Sequence, residues 1–330
     1  MEIYNIGVNG FNSYLICGEK NIIVDTVPYN YINEFFENLE KHTKASEVDY
    51  VVFTRTNPDC TGGLKELLFR KPQILVYATV AGLKNLKEII NADFPENVIK
   101  NDAELFGLKF IITPNLSWPD TCVAYLENEK ILFSGNLFCD SPECEFFGKE
   151  FLKNAVERIK KLEIKEILTG YNKAQKIDMY DEFLNFIPEE KIGVVYASTS
   201  GQTKALALTI ADEIRENGKE CEIFDCDERI NFSELENCSA FVFGTPTINH
   251  NAKKSVLDVI CSLNVVKNTD KKAFVFGSFG WSGEGVNIVS VLLGNLKIRV
   301  TKKPYRCILN PSDDNLAELR KCVREFLKEL

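Results

Sequence analysis

The chain has 330 residues, of which 45% are hydrophobic and 26% are charged, and its net charge is −9 at pH 7. This length predicts two domains, and the composition is that of a soluble globular protein with a sizeable core. The negative charge argues against nucleic acid or an anionic membrane surface as the main partner. The first residues lack the basic start and apolar core of a signal peptide, and no apolar run could span a bilayer. We therefore expect a cytoplasmic protein with no membrane partner.

Cysteine and histidine usage limits the metal and redox chemistry. None of the 11 cysteines is arranged as C-x-x-C, so most are expected to be small buried hydrophobes in a reducing compartment. Cys139 and Cys144 flank a short loop and could meet, which leaves a redox or metal role for that pair open. The 2 histidines, His42 and His250, are too few for a site with three or four imidazole ligands.

The first half of the chain predicts mixed sheets with outer helices. Strands are expected at 3–8, 13–17, 21–25, 48–53, 74–77, 110–112, 121–126, 131–134 and 164–168. Helices are expected at 29–42, 64–69, 83–90, 151–162 and 180–186. Pro188 marks the expected junction, so that residues 1–188 form one domain and residues 189–330 a second.

From residue 191 onward, strands alternate with helices. The expected strands are 191–197, 220–225, 239–245, 272–277 and 298–308. The expected helices are 203–216, 252–263, 284–295 and 314–329. This alternation implies right-handed crossovers and a doubly wound parallel sheet, in which ligands bind outside the carboxyl ends of the strands.

A hydroxyl-rich turn joins the first of these strands to its helix. Its residues are Ser198, Thr199, Ser200, Gly201, Gln202 and Thr203. A strand, a turn and a helix in this order direct backbone N–H groups and the positive helix end at one spot, which suits a phosphate. The turn has neither the Lys of a Walker P-loop nor the pattern G-x-G-x-x-G, so it favours a single phosphomonoester. The alternative is an ordinary Ser/Thr-rich helix cap.

Two further loops follow strands at the same predicted edge, at 244–250 and 277–284. Their backbone N–H groups could hydrogen-bond the edge of a planar ring, and Trp281 could border its face. The predicted ligand-binding residues of these loops are Thr245, Pro246, Thr247, Ile248, Asn249, Ser278, Phe279, Gly280, Trp281 and Gly283.

The three loops resemble those of flavodiiron proteins (A-type flavoproteins), and the turn 198–203 looks like the FMN-phosphate loop of flavodoxins. Upstream, stretches that match the family's metallo-β-lactamase-like domain lie at 12–16, 23–26, 117–120 and 132–134. The resemblance implies an α/β chain with a truncated N-terminal metallo-β-lactamase-like αββα domain and a C-terminal flavodoxin-like doubly wound parallel sheet. It also implies FMN as cofactor, an electron donor protein or reductase as partner, and a head-to-tail homodimer.

The metal-ligand positions depart from the family. Its H-x-E-x-D-H motif reads Arg55-Thr-Asn57-Pro-Asp59-Cys60 here, and its other ligand positions fall on Ser117, Asn136 and Tyr171. Only Asp59 keeps its residue, so we expect no di-iron centre. Arg55 could pair with Asp59, or it could bind an anion in place of the metals. Cys60 with Asp59 could instead hold one softer ion.

The resemblance and the departure together favour an FMN-dependent oxidoreductase that transfers electrons without reducing oxygen or nitric oxide at two irons. A non-catalytic scaffold or redox-sensing FMN-binding protein is the alternative. In a head-to-tail dimer, the flavin of one chain is expected to face a cationic pocket of the other. That pocket is expected to suit a small anionic or polar acceptor and to be lined by Arg55, Asn57, Cys60, Ser117 and Tyr171.

Overall fold

The computed structural model describes residues 1–139, 149–185 and 187–330. The chain divides into two compact units, Met1–Leu184 and Asn185–Leu330. Among the helices of the described residues, none has the length and apolar content required to cross a membrane.

Two sheets form the centre of the first unit. Its strands are β1 Glu2–Asn5, β2 Tyr14–Cys17, β3 Ile22–Val24, β4 Tyr50–Val52, β5 Leu75–Ala78, β6 Glu96–Val98, β7 Glu104–Leu105, β8 Leu108–Ile112, β9 Cys122–Leu126, β10 Ile131–Gly135 and β11 Glu166–Thr169. One sheet has the order β1-β2-β3-β4-β5-β6, and the other has the order β11-β10-β9-β8-β7. Both mix parallel and antiparallel pairs, as the sequence predicted.

Helices cover the outer faces of these sheets. They are α1 Ile32–Glu40, α2 Pro58–Thr61, α3 Leu64–Arg70, α4 Val80–Ile90, α5 Lys149–Ile159 and α6 Asp181–Leu184. Short 3₁₀ turns lie at Tyr29–Tyr31, Ala45–Glu47 and Ile177–Tyr180.

Strand alternation divides the side chains of the first unit among three core layers. Ile23 packs with residues of α1, α3 and α4, whereas Ile22 and Val24 pack between the two sheets. On β9, Ala124 also lies between the sheets, while Val123 packs with residues of α5. The layers therefore run helix, sheet, sheet, helix, which confirms the predicted αββα architecture.

The second unit is built on one largely parallel sheet. Its strands are β12 Glu189–Tyr196, β13 Glu220–Asp225, β14 Cys238–Ile248, β15 Asn251–Ala252, β16 Lys272–Phe279, β17 Arg299–Val300 and β18 Tyr305–Ile308. Its helices are α7 Gln202–Glu216, α8 Phe232–Asn237, α9 Lys254–Ser262, α10 Val265–Asn268, α11 Gly285–Asn295 and α12 Asp313–Leu327. The order β13-β12-β14-β16 is parallel throughout, and β17 and β18 both pair with β16.

Both faces of this sheet are buried. On β12, Val195 packs on the side of α9 and α11, and Val194 packs on the side of α7 and α12. The sheet is therefore doubly wound, as predicted, and the order reverses between β12 and β14. A ligand crevice is expected at the carboxyl ends of the strands at that switch point.

Some predicted elements differ from the observed ones. The strand predicted at 298–308 is two short strands, because Pro304 lies between them and cannot donate to a sheet ladder. The helix predicted from residue 29 begins as a 3₁₀ turn and becomes an α-helix at Ile32. Strand β6 was not predicted, since its residues are exposed and carry no apolar pattern.

Candidate functional site

The turn between β12 and α7 is shaped to receive an anion. Gly201 adopts φ 90° immediately before the helix, and its N–H donates to the Ser198 hydroxyl at 3.1 Å. A Cβ added at Gly201 would meet no heavy atom within 4 Å, so the turn opens away from the rest of the unit. The positive φ, rather than close packing, therefore requires glycine here. The first turn of α7 begins beside this open space, which fits a phosphate.

The three predicted loops lie at one cavity of about 330 Å³. Its lining residues are Thr199, Ser200, Gln202, Pro246, Thr247, Ile248, Ser278, Phe279, Gly280 and Leu309. Residues of the turn that is expected to bind a phosphate therefore line the same cavity as residues of the two loops that are expected to hold a planar ring. The size and chemistry of this lining fit the phosphate, ribityl chain and part of the ring of a flavin mononucleotide.

Other predicted residues support the loops from behind. Thr203 is 1% exposed, and its Oγ1 lies 2.7 Å from the Ser278 Oγ. Thr245 is fully buried, and its Oγ1 accepts from the backbone N–H of Lys253 at 3.0 Å and donates to the carbonyl oxygen of Pro246 at 2.9 Å. These two threonines therefore fix the relative positions of neighbouring loops.

A two-residue turn at Asn249 and His250 closes the β14–β15 hairpin, with φ values of 48° and 60°. The Nδ1 of His250 lies 3.2 Å from Glu284 Oε1 and 3.3 Å from the Ser282 hydroxyl. These contacts join the hairpin tip to the loop after β16. A second cavity of about 500 Å³ lies there, lined by Thr247, Asn249, His250, Gly280, Trp281 and Ser282.

Trp281 and Gly283 lie in the loop after β16. The Trp281 side chain is 91% exposed, so its indole is free to cover a ring seated in the loops. Gly283 has φ 76°, and a Cβ there would lie 3.2 Å from the Phe279 ring. Glycine at this position therefore lets the loop turn tightly against Phe279.

Three polar residues near the turn, Lys253, Asp227 and Ser255, were not predicted from the sequence. The Nζ of Lys253 donates to the carbonyl oxygen of Ser198 at 3.0 Å and to Asp227 Oδ2 at 2.6 Å. Ser255 Oγ donates to Asp227 Oδ1 at 2.9 Å. The only signal in the sequence is that Asp227 lies just after β13, which ends at the ligand edge, whereas Lys253 falls within the helix predicted at 252–263.

The loop after β18 was also missed. Leu309 lines the first cavity, with its backbone N–H donating to the carbonyl oxygen of Phe279 at 2.8 Å. The neighbouring Asn310 accepts from Gln202 Nε2 at 3.1 Å. The predicted strand 298–308 ends directly before this loop, and that position at a carboxyl strand end is the signal that could have found it.

In the first unit, Arg55 lies at the centre of a buried charge cluster and is 1% exposed. Its guanidinium donates to Asp25 Oδ2 at 3.1 Å and to Asp59 Oδ1 at 3.2 Å. Burial alone would lower the pKa of Arg55, but the surrounding Cys60, Asp59 and Asp25 raise it, so the guanidinium stays charged. A Cβ added at Gly170 would lie 2.4 Å from Arg55 Nη1, so the guanidinium fills the space beside that glycine.

This geometry decides between the two roles expected for Arg55. The Arg55–Asp59 ion pair is confirmed, and Asp25 is a second partner that the sequence did not predict. Arg55 is not accessible to a solute anion, so the anion-binding role and the cationic pocket lined by Arg55 are wrong. Cys60, also expected in that pocket, is likewise 1% exposed.

The other positions that correspond to the family's metal ligands make contacts of their own. The Cys60 thiol donates to the carbonyl oxygen of Arg55 at 3.2 Å, and burial raises the pKa of this thiol well above its ordinary value. Ser117 adopts φ 59°, and the Tyr171 ring packs edge-on against Phe11 at 5.1 Å. Across residues 1–139, 149–185 and 187–330, no group of three or more His, Cys, Asp and Glu side chains could hold a metal ion. The donor set there does not fit two iron ions.

The cysteine pair singled out in the sequence is described in part. Cys139 is buried, and its thiol donates to the carbonyl oxygen of Asn136 at 3.0 Å. Cys144 lies outside the described residues, so the pairing stays a prediction.

Comparisons with known families cover most of the chain. The family model described as ODP family beta lactamase matches residues 10–165, and the flavodoxin family model matches residues 194–326. Flavo-diiron protein FprA2 of Clostridium acetobutylicum is 31% identical, across 97% of this chain and 92% of the relative. Anaerobic nitric oxide reductase flavorubredoxin of Escherichia coli is 26% identical, across 97% of this chain and 76% of the relative.

Solved structures show the same fold at lower sequence identity. Rubredoxin oxygen:oxidoreductase of Desulfovibrio gigas superposes with a TM-score of 0.68 at 20% identity, covering 97% of this chain and 90% of that one. The flavodiiron protein of Giardia intestinalis gives 0.67 at 23% identity, covering 99% of this chain and 94% of that one.

Proposed function

The chain belongs to the flavodiiron protein family and is an FMN-binding flavoprotein with a flavodoxin domain, and we propose that it transfers electrons through FMN without a di-iron centre. FMN supplies the electron chemistry when bound, by accepting and passing on electrons. The protein's own residues bind the cofactor, orient it and restrict its contact with water.

The observation that carries this proposal is the convergence of three loops on one cavity. Ser200 and Gln202 line its phosphate end, beside the open turn at Gly201. Thr247 and Gly280 line both this cavity and the adjoining one, so they mark the path along which a ring would lie. The predicted cofactor residues 198–203, 245–249, 278–281 and 283 are proposed on this basis to hold FMN.

The absence of two irons is proposed from the chemistry of Arg55. A guanidinium has no lone pair to give a metal, and this one is held by two carboxylates in the buried cluster. Elemental analysis after expression in iron-supplemented medium tests the proposal. We expect far less than two irons per chain; two would overturn it, and one tightly held zinc would point to Asp59 and Cys60 as ligands.

An assay with several electron donors and acceptors tests the oxidoreductase role. Turnover well above the background of free flavin supports an enzyme. Reduction of bound FMN without turnover favours the alternative, a scaffold or redox-sensing FMN-binding protein. The proposed partner in either case is an electron donor protein or a reductase.

A head-to-tail homodimer is proposed from the family resemblance. Large apolar side chains lie exposed at the flavin end of the second unit, including Trp281 at 91% and Leu309 at 62%. Contact with a second chain would cover such side chains. The partly exposed Asn57, Ser117 and Tyr171 of that second chain are then the proposed neighbours of the flavin. A monomer by light scattering across the working concentration range would rule the dimer out.

A further inference from the structure

A lysine ammonium lies directly behind the phosphate turn. Lys253 Nζ is 3.0 Å from the carbonyl oxygen of Ser198, and its side chain is 23% exposed. Lys253 follows Ser198 by 55 residues in the sequence and lies at the end of the β14–β15 hairpin. The turn itself, Ser198–Thr203, contains no basic side chain.

The peptide group between Ser198 and Thr199 links this ammonium to the cavity. Its carbonyl oxygen accepts from Lys253, and its N–H belongs to Thr199, which lines the cavity. A charged donor at the oxygen polarises the peptide group and makes its N–H a stronger donor. The effect favours an anion in front of the turn and adds little to the binding of an uncharged ligand.

Asp227 restrains the same lysine. Its carboxylate accepts from Lys253 at 2.6 Å and from Ser255 at 2.9 Å. Burial by itself would raise the pKa of Asp227, but hydrogen bonds from Lys253, Ser255 and the backbone of Ser198 lower it, so it stays ionised. The carboxylate therefore fixes the ammonium in place and offsets part of its charge.

We propose that Lys253 is a positioning residue that gives this site its preference for a phosphorylated flavin over the same flavin without phosphate. Lys253 acts through the Ser198–Thr199 peptide group. The negative charge of Asp227 partly cancels the electrostatic effect of the ammonium on that peptide group. The inference rests on the proposed placement of the FMN phosphate at 198–203.

The experiment measures the Kd of FMN and of riboflavin by fluorescence titration of the full-length apoprotein. Lys253→Met should weaken FMN about five- to tenfold and riboflavin less than about twofold. Lys253→Arg should stay within about threefold of the parent for FMN, because it keeps the charge and the donors. Lys254→Met is the matched control, since its ammonium pairs with Asp258 and its side chain is 84% exposed. It should leave both affinities unchanged.

Asp227→Asn separates a charge effect from simple bracing of the turn. Asparagine keeps one oxygen that can accept from Lys253, its amide N–H can donate to the Ser255 hydroxyl, and it no longer offsets the ammonium charge. FMN should therefore bind more tightly than in the parent, whereas a role in bracing alone predicts binding that is unchanged or weaker. The preference of the parent for FMN should also shrink as salt is raised.

The possible failures are distinguishable. A parent protein that binds riboflavin as tightly as FMN contradicts the placement of the phosphate turn. A parent that prefers FMN, together with a Lys253→Met variant that loses both ligands equally or neither, overturns the role of Lys253. FMN binding by Asp227→Asn that is no tighter than in the parent overturns the charge effect. If Lys253→Met does not fold, the Lys253→Arg and Asp227→Asn results decide the question.

Discussion

The hydroxyl groups of Thr203 and Ser278 share a buried hydrogen bond, with 2.7 Å between Oγ1 and Oγ. Thr203 belongs to the first turn of α7, and Ser278 lies near the carboxyl end of β16. The bond therefore joins the helix behind the proposed phosphate turn to the strand that leads into the loop proposed to hold the ring. Because Ser278 also lines the cavity, this contact fixes the distance between the two ends of the proposed cofactor site.

Replacing residues on the two sides of this contact should have different effects. Ser200→Ala removes an exposed hydroxyl at the phosphate end and should weaken FMN about tenfold, with riboflavin changed less than about twofold. Thr203→Val leaves the buried Ser278 hydroxyl without a partner, which should lower the free energy of unfolding by about 1–3 kcal/mol. Fluorescence titration and urea unfolding measure the two effects. Equal loss of both flavins in Ser200→Ala would count against the placement of the phosphate there.

The loops were predictable from the sequence because they follow strongly apolar strands. Val194 and Val195 belong to a run that is buried on both faces, and the carboxyl ends of such strands meet at one edge of the sheet. The contact between Lys253 and Asp227 was not predictable, since the two residues lie on different loops and carry no periodic signal. For Arg55, the i,i+4 spacing indicated Asp59, but nothing in the sequence connects it to Asp25, 30 residues away.

The buried cluster around Arg55 should be needed for the stability of the first unit. Arg55→Met leaves the Asp25 carboxylate without its cation at 3% exposure, which should cost about 3–5 kcal/mol. The double variant Arg55→Met/Asp25→Asn should recover part of that loss, because no buried charge remains on Asp25. Urea unfolding followed by far-UV circular dichroism measures both, and bound FMN reports on the second unit.

An exposed ion pair provides the control for this experiment. Lys153 lies 3.9 Å from Glu157, and both side chains are more than half exposed, at 64% and 58%. Lys153→Met should therefore change the free energy of unfolding by less than about 1 kcal/mol. If Arg55→Met lowers the free energy of unfolding by as little as the control variant does, the cluster contributes little to stability.

Lys271 should give the second unit a distinct pH dependence. It is 7% exposed, and burial lowers its pKa to about 8. Between that value and its unfolded pKa of about 10.4, the unfolded chain binds a proton that the folded chain does not. The stabilisation from this lysine is therefore fully present above pH 10.4 and is lost as the pH falls through 8.

The measurement compares the parent with Lys271→Met. Buried cysteines and tyrosines titrate in the same pH range in both proteins, so their contribution to the free energy of unfolding cancels in the difference. The free energy of unfolding of the parent minus that of the variant should increase from pH 7.5 to pH 10, by up to roughly 3 kcal/mol. The exposed Lys254→Met variant should show no such trend. A difference that stays constant or falls with pH would mean that Lys271 remains protonated in the folded protein.

Trp281 tests where the ring of the cofactor lies. Its indole is 91% exposed in the loop after β16 and borders the cavity next to the one proposed to hold the phosphate end. If it covers the flavin ring, Trp281→Ala should weaken FMN and riboflavin by the same factor, about five- to twentyfold, because stacking involves no phosphate. The phosphate-end variant Ser200→Ala should instead separate the two ligands.

Fluorescence gives an independent readout of the same contact. The chain has 2 tryptophans, and the other, Trp118, lies in the first unit. Adding FMN to the apoprotein should quench most of the Trp281 emission. Trp281→Phe keeps an aromatic ring for stacking and should remove that part of the quenching, so that only quenching of Trp118 remains. A Trp281→Ala protein that binds both flavins as tightly as the parent would place the ring away from this indole, and the cavity between the hairpin tip and Trp281 would then be free for another ligand.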